Sequence, residues 1–206
     1  TYQWRKNGVN VSGATLQTYA IPSVTALDAG SYSVMVGNLL GTLASNAALL
    51  SVNTPVGITA QPTSRTVVAG SAVSFSVSAT GTAPFTYQWR KDGVNLVGGT
   101  GSVFSIGSAA STDAGSYEVV VGNVVGTLTS TSAVLVVNVP AVFTTQPQSQ
   151  SVNPGAPAVF TVAVTGTGPF TYQWRKNGVA LSGETGVSLS LPAVAASDAG
   201  AYTVLV

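Results

Sequence analysis

Aspartate is the most regular acidic residue of the sequence, and its carboxylate is a group from which a metal site could be built. Asp28, Asp113 and Asp198 each begin the motif Asp-Ala-Gly-Ser-Tyr or Asp-Ala-Gly-Ala-Tyr. A calcium ion takes six to eight oxygen ligands, and no second carboxylate recurs beside all three aspartates. We therefore interpret them as turn caps that accept backbone N–H bonds, and the sequence predicts no metal ligand.

Paired carboxylates could support glycoside hydrolysis, which requires two of them facing a cleft. Glu184 and Asp198 are the available pair. The positions equivalent to Glu184 in the rest of the chain are Ala14 and Gly99, and Asp198 belongs to the turn motif. The sequence therefore predicts no catalytic residue of this type.

Lysine can act as the base of a serine nucleophile in the absence of histidine. Lys6, Lys91 and Lys176 each lie beside a hairpin turn, where we expect them to be solvated. The same expected exposure argues against lysine–asparagine crosslinks. The chain contains no His and no Cys, which removes the commonest acid–base group, thiolates, disulfides and cysteine zinc sites. We therefore expect a non-enzymatic protein without a cofactor.

Two kinds of surface feature could bind a ligand. Arg-Lys pairs recur at 5–6, 90–91 and 175–176, and they could touch an acidic polysaccharide, although two charges per copy also serve solubility. Phe85 and Phe170 lie in proline-bearing loops, where an aromatic ring could stack on sugar or plug the end of the fold. Neither feature assigns a binding residue, so the ligand-binding residues are unknown.

Apolar residues at outward strand positions, and one glycosylation motif, complete the candidates. Met35, Val120 and Leu205 occupy positions where a solvated strand favours polar residues, and contiguous exposed apolar area can mark a contact surface. Asn10-Val11-Ser12 fits a glycosylation motif that the other copies lack. These remain hypotheses.

Composition narrows the class of protein. Only 6% of the 206 residues are charged, 45% are apolar, and the net charge is +1. Nucleic acid and anionic membranes require a cationic surface that this balance does not provide. No apolar run approaches the 18 or so residues of a membrane span, and we expect any secretion signal to lie outside this segment. The chain has the apolar residues to build a core.

The sequence repeats every 85 residues. The motif TYQWRK(N/D)GV begins at Thr1, Thr86 and Thr171, which are 85 residues apart (86 − 1 and 171 − 86), and the aspartate motif keeps the same step. Short proline-containing linkers, 53–57 and 138–141, separate the copies. They are not glycine-rich, so we expect restricted bending rather than the motion of a flexible tether.

These boundaries predict three domains. Residues 58–137 form a complete domain, which we call the middle repeat. Residues 1–53, the first repeat, correspond to its C-terminal strands only, and 142–206, the third repeat, lack its last strand. Neighbouring repeats of the same chain are thus the first expected partners.

Within the middle repeat the apolar residues alternate with polar ones, which is typical of half-buried strands. Val73, Phe75, Val77 and Ala79 alternate with serines at 74, 76 and 78, and Tyr87 and Trp89 alternate with Gln88 and Arg90. Asn-Gly or Asp-Gly pairs supply the positive φ angles of two-residue hairpins. Seven or eight short strands in such a length indicate an antiparallel β-sandwich.

The spacing of Val77, Trp89, Asp113-Ala-Gly-Ser-Tyr117 and Val119 resembles the immunoglobulin I-set pattern. That pattern has Cys where Val77 and Val119 stand, so this resemblance implies tandem immunoglobulin-like domains without the intradomain disulfide. It also implies that both valines pack against Trp89 and that Tyr117 forms a tyrosine corner. Cysteine-free copies of this kind are similar to the repeats of large bacterial surface or secreted proteins.

The resemblance implies a structural spacer or an adhesive stalk within a large secreted or cell-surface protein. Its partners would be adjoining repeats, another surface protein or a polysaccharide, and its location would be extracellular or at the cell surface. The alternative is an accessory carbohydrate-binding module attached to a secreted enzyme.

Overall fold

The computed structural model describes all residues from Thr1 to Val206. Its regular structure consists of 22 β-strands and three short 3-10 helices, Ala26–Asp28, Ser111–Asp113 and Ala196–Asp198. The prediction of an all-β fold is confirmed. Each helix is three residues long, and none is long or apolar enough to cross a membrane.

The chain divides into two compact units. The first contains residues 1–62, 76–104 and 118–132, and the second contains 63–75, 105–117 and 133–206. The middle repeat therefore contributes residues to both units.

The first repeat forms one antiparallel sheet. Its strand order is β2-β1-β3-β4, and β5 also pairs with β3. Trp4 lies opposite Val34 where β1 pairs with β3. The strands are β1 (Tyr2–Lys6), β2 (Val9–Asn10), β3 (Gly30–Asn38), β4 (Gly41–Ala44) and β5 (Ala48–Leu50).

The middle repeat contains ten strands: β6 (Gly57–Ala60), β7 (Arg65–Val68), β8 (Val73–Ser76), β9 (Ser78–Thr80), β10 (Thr86–Lys91), β11 (Val94–Asn95), β12 (Val103–Ile106), β13 (Gly115–Gly122), β14 (Thr127–Thr129) and β15 (Ala133–Asn138). Its main sheet has the order β11-β10-β13-β15-β7, and β14 also pairs with β13. The pairs β8–β12 and β6–β9 form separate two-stranded sheets. The strand β15 pairs with β7 in parallel, whereas the pairs β10–β11, β13–β14, β13–β15 and β6–β9 are antiparallel.

The third repeat contains seven strands: β16 (Val142–Thr145), β17 (Ala158–Thr161), β18 (Ala163–Thr165), β19 (Gln173–Lys176), β20 (Val179–Ala180), β21 (Ser188–Leu191) and β22 (Tyr202–Leu205). They form a sheet of order β20-β19-β22 and the pairs β16–β18 and β17–β21, all antiparallel.

The hairpins form at the Asn-Gly and Asp-Gly pairs that the sequence singled out. Asn7 and Gly8 have φ angles of 50° and 80°, and the pairs at 92–93 and 177–178 have nearly the same values. Lys6 lies opposite Val9 across the first of these turns. Two consecutive residues with positive φ match the right-handed twist of the flanking strands. The prediction of two-residue hairpins is confirmed.

Two segments that align with strands of the middle repeat do not form strands. Residues 18–21 align with β12, and residues 150–153 align with β7, yet both are irregular. In the middle repeat these strands pair with β8 and β15. Within residues 1–206 no strand lies beside either segment as β8 and β15 do in the middle repeat, so neither segment is paired into a sheet.

In the middle and third repeats the core lies around the tryptophan. In the middle repeat Trp89 and Val119 are fully buried and Val77 is 5% exposed. In the third repeat Val162, Trp174 and Leu189 form one buried cluster, and Phe160, Tyr202 and Val204 pack against it. The third repeat thus brings together the two valines and the tryptophan at the positions that the immunoglobulin pattern assigns to its bridge.

Candidate functional site

Each of the three aspartates caps its own turn. The Oδ2 atom of Asp28 accepts hydrogen bonds from the backbone N–H and the hydroxyl of Thr25, both at 2.8 Å. Asp113 and Asp198 accept the backbone N–H three residues earlier at the same distance. The two bonds from Thr25 hold the pKa of Asp28 below its ordinary value. The interpretation of the aspartates as turn caps is confirmed.

The tyrosine of each motif bonds back to the same turn. The hydroxyls of Tyr32, Tyr117 and Tyr202 each donate to the backbone oxygen of the aspartate four residues earlier, at 2.7 Å. This is the tyrosine corner that the resemblance implied. Burial, and then the charge of the adjacent aspartate, raise the pKa of Tyr32 and Tyr202.

The lysines are not simply solvated, and that expectation was wrong. Lys6 and Lys176 are half-buried. Their Nζ atoms donate to the backbone oxygens of Leu27 and Ser197, and each lies 5.9 Å from the ring centre of its repeat's corner tyrosine. A lysine stem can pack on an aromatic face while its ammonium reaches a polar partner. Both lysines therefore stabilise the corner.

Glu184 and Asp198 have separate structural surroundings. The side chain of Asp198 accepts the N–H of Ala195, whereas Glu184 contributes its backbone oxygen to the N–H of Trp174, at 3.0 Å. Ala14 and Gly99 accept the same bond from their tryptophans. Because backbone atoms make this contact, it does not depend on a carboxylate at this position. No group of three or more His, Cys, Asp or Glu residues is arranged to hold a metal ion.

The repeated arginines are tied to their own hairpins. The Nε atoms of Arg5 and Arg90 donate to the side-chain oxygens of Asn10 and Asn95 at 2.9 Å. In addition, Arg90 lies 3.8 Å from Glu118. We did not predict these arginine–asparagine pairs from the sequence, although an asparagine five residues after the arginine, across a two-residue hairpin, indicates them.

Arg175 is the exception among the arginines. Residue 180 is Ala where the other copies have Asn. The Nε atom of Arg175 is buried without a hydrogen-bond partner. A buried donor left unpaired costs free energy, so the third repeat carries a local defect that the other two lack.

The aromatic and apolar candidates are only partly available to a ligand. Phe85 and Phe170 are half-buried, as are Met35 and Val120. Leu205 is 56% exposed. Partial burial of both phenylalanines fits the interpretation that they plug the end of the fold better than it fits an open stacking platform.

A groove of about 550 Å³ lies in the third repeat. It is bordered by residues 147–152 and by Pro154, Phe160, Leu191 and Tyr202. In the middle repeat, β7 occupies the position of residues 150–153, and Tyr117 occupies that of Tyr202. Both β7 and Tyr117 pair with β15 there. The groove therefore lies where the middle repeat has its last strand.

Comparison with known proteins identifies the family to which the chain belongs. The immunoglobulin domain family matches residues 55–123 and 140–206. The chain belongs to the immunoglobulin domain family. Protein sax-3 of Caenorhabditis elegans is 29% identical over 226 aligned positions, which cover 97% of this chain and 18% of that protein.

Two further similarities place this immunoglobulin chain in context. The decoration protein of Escherichia phage T5 is 46% identical over 59 residues, covering 28% of this chain and 36% of that protein. The I67–I69 fragment from titin superimposes with a TM-score of 0.78 at 22% identity, covering 99% of this chain and 81% of the fragment. The second similarity shows the fold alone, tandem immunoglobulin sandwiches.

The chain spans less than a fifth of the length of sax-3. Sax-3 comes from an animal and the decoration protein from a phage. These relatives give no support to the bacterial origin that the sequence pattern suggested.

Proposed function

We propose that this chain is a non-enzymatic run of immunoglobulin repeats that acts as a structural spacer or an adhesive stalk in a larger protein. The observation that carries the proposal is the use of its recurring polar side chains. The aspartates, corner tyrosines and hairpin arginines bond to groups of their own repeat. Chemistry on a substrate requires groups directed at the substrate instead.

The proposal also covers the domains and the location of the chain. We infer one complete domain over 58–137 and parts of domains over 1–53 and 142–206. The proposal places them outside the cell or at its surface, with neighbouring repeats and another surface protein as partners. A near full-length match to part of a much longer protein such as sax-3 supports a role as one segment of a large chain.

No specific observation favours the accessory carbohydrate-binding module. A sugar platform needs exposed aromatic rings, whereas Phe85 and Phe170 are half-buried. The repeated arginines are also held within their own hairpins, because the Nε atoms of Arg5 and Arg90 donate to asparagine side chains.

A surface assay separates the two roles within the proposal. The chain is attached to beads by its C-terminus with a fluorescent reporter at its N-terminus, and versions with one or two extra copies of the 85-residue unit are compared. A spacer raises the reporter by an equal step per added copy, and an adhesive stalk makes the beads cluster. A constant reporter height together with dispersed beads would show that the proposal is wrong.

Catalysis is tested separately. The chain and its Glu184→Gln variant are incubated with a panel of polysaccharide and ester substrates. We expect no turnover by either protein. Turnover that disappears in the variant would overturn the non-enzymatic assignment.

A further inference from the structure

The linker between the middle and third repeats is hydrogen-bonded to the repeat that follows it. The backbone N–H of Val139 donates to the hydroxyl of Thr167 at 2.7 Å. In return, the N–H of Thr167 donates to the backbone oxygen of Val139 at 2.8 Å. Both backbone groups of one linker residue are thus bound by one threonine, which restricts its two dihedral angles.

The preceding linker repeats this arrangement 85 residues earlier. The N–H of Thr54 donates to the hydroxyl of Thr82 at 2.8 Å, and the N–H of Thr82 donates to the oxygen of Thr54 at 3.2 Å. Asn123 adds a bond from its side-chain amide to the same oxygen, at 2.8 Å. The linker residue differs, Thr54 against Val139, but the threonine that binds it does not.

A glycine beside each threonine lets the linker approach this closely. Gly81 and Gly166 have φ angles of 124° and 137°. A Cβ atom on Gly81 would lie 2.4 Å from the backbone oxygen of Pro55, and one on Gly166 would lie 2.7 Å from that of Pro140. Both distances are shorter than a non-bonded contact allows, so the arrangement requires glycine at both positions.

The first residue of the second linker is fixed on its other side. Asn138, the last residue of β15, lies opposite Val68 in the sheet and accepts the N–H of Ala69 at 2.8 Å. The next residue, Val139, is already bound to Thr167. No unbonded residue therefore separates the end of one sheet from the latched linker.

We propose that Thr167 is a latch residue that removes the hinge between the middle and third repeats, and that Thr82 binds the preceding linker to the middle repeat in the same way. Each hydroxyl fixes the linker residue at which the chain passes into the next repeat. Short linkers alone restrict bending, but these contacts place the restriction at one named side chain. The inference concerns the junction itself and holds for a spacer and for an adhesive stalk alike.

The test removes one hydroxyl. Thr167→Val keeps the shape of the side chain and its backbone N–H but loses the acceptor for Val139. Thr185→Val is the matched control, because Thr185 is exposed in the same repeat and its hydroxyl makes no hydrogen bond in the structure. Because the chain has no Cys, spin labels can be placed uniquely at Ser108→Cys and Ser182→Cys, which are both exposed.

We expect Thr167→Val to speed amide exchange at Val139 by roughly five- to tenfold, the equivalent of one hydrogen bond. The distribution of distances between the labels should broaden, and Gly166→Ala should broaden it independently by displacing Pro140. The control should change neither quantity. The proposal is overturned if Val139 exchanges faster while the distance distribution stays narrow, if exchange is unchanged, or if the control broadens the distribution equally.

Discussion

Restoring the missing partner of Arg175 should stabilise the third repeat. The Nε atom of Arg175 is buried and unpaired, and its counterpart in the middle repeat bonds to Asn95 at 2.9 Å. Arg175 lies opposite Ala180 across the hairpin, as Arg90 lies opposite Asn95. Ala180→Asn therefore places an oxygen where two other copies already use one.

The size of the effect follows from what the new bond replaces. A net hydrogen bond stabilises a protein by about 0.5–1.5 kcal/mol, and an unpaired buried donor costs about 1–3 kcal/mol. Arg175 as a whole is only half-buried, and ordering the asparagine costs side-chain entropy. We therefore expect a gain of about 1 kcal/mol, which corresponds to about 4–8 °C in Tm for a domain of this size.

Calorimetry gives the change in Tm, and peptide-resolved hydrogen exchange over 173–180 assigns it to the third repeat. The reciprocal change, Asn95→Ala, should destabilise the middle repeat by a similar amount. Ala180→Asn is then repeated in an Arg175→Met background, where no donor remains. If the asparagine stabilises that variant equally, the gain comes from the hairpin itself and the reasoning from the hydrogen bond is refuted.

Three other expectations concern the core, the turn and the relative stability of the copies. Val77→Cys with Val119→Cys should form a disulfide, detected by mass spectrometry, because both residues are buried at the positions where the family pattern has its bridge; failure to oxidise would show the valines to be misaligned. Hydrogen bonds lower the pKa of Asp28 in the folded state. The stability that they give the folded state is therefore fully present above the pKa of Asp28 in the unfolded chain, and it is lost as the pH falls through the pKa of Asp28 in the folded state. Asp28→Asn should therefore lower the free energy of unfolding at neutral pH but not at a pH below the pKa of Asp28 in the folded state. A loss of stability that persists in strong acid would contradict this. Amide protection should be greatest in the middle repeat, then in the third and lowest in the first, because unpaired edges and missing strands reduce burial; equal protection of the first repeat would refute the order.

Features with a local physical cause could be predicted from the sequence. The Asn-Gly pairs fix two positive φ angles, and period-two alternation identifies the strands that bury one face. The aspartate and tyrosine lie four residues apart, so their corner is also a short-range feature. These predictions succeeded because each depends on few residues that are close in the chain.

Contacts between distant residues were not predicted. Lys6 and Leu27 are 21 residues apart, and Thr54 and Thr82 are 28 apart. A side chain's reach across the sheet depends on strand order and register, which a single sequence does not specify for every strand. The solvated lysines were an error of this kind, because the tyrosine ring that they cover comes from another strand.

The parallel pairing of β7 with β15 determines how the middle repeat responds to tension. Four residue pairs, from Leu135 opposite Arg65 to Asn138 opposite Val68, join the strands near the two ends of this repeat. Pulling the ends apart drives two parallel neighbours in opposite directions along their length, so the four pairs bear the force together. Antiparallel strands pulled from one end would instead separate one pair at a time. The middle repeat should therefore resist stretching in shear until this short ladder breaks.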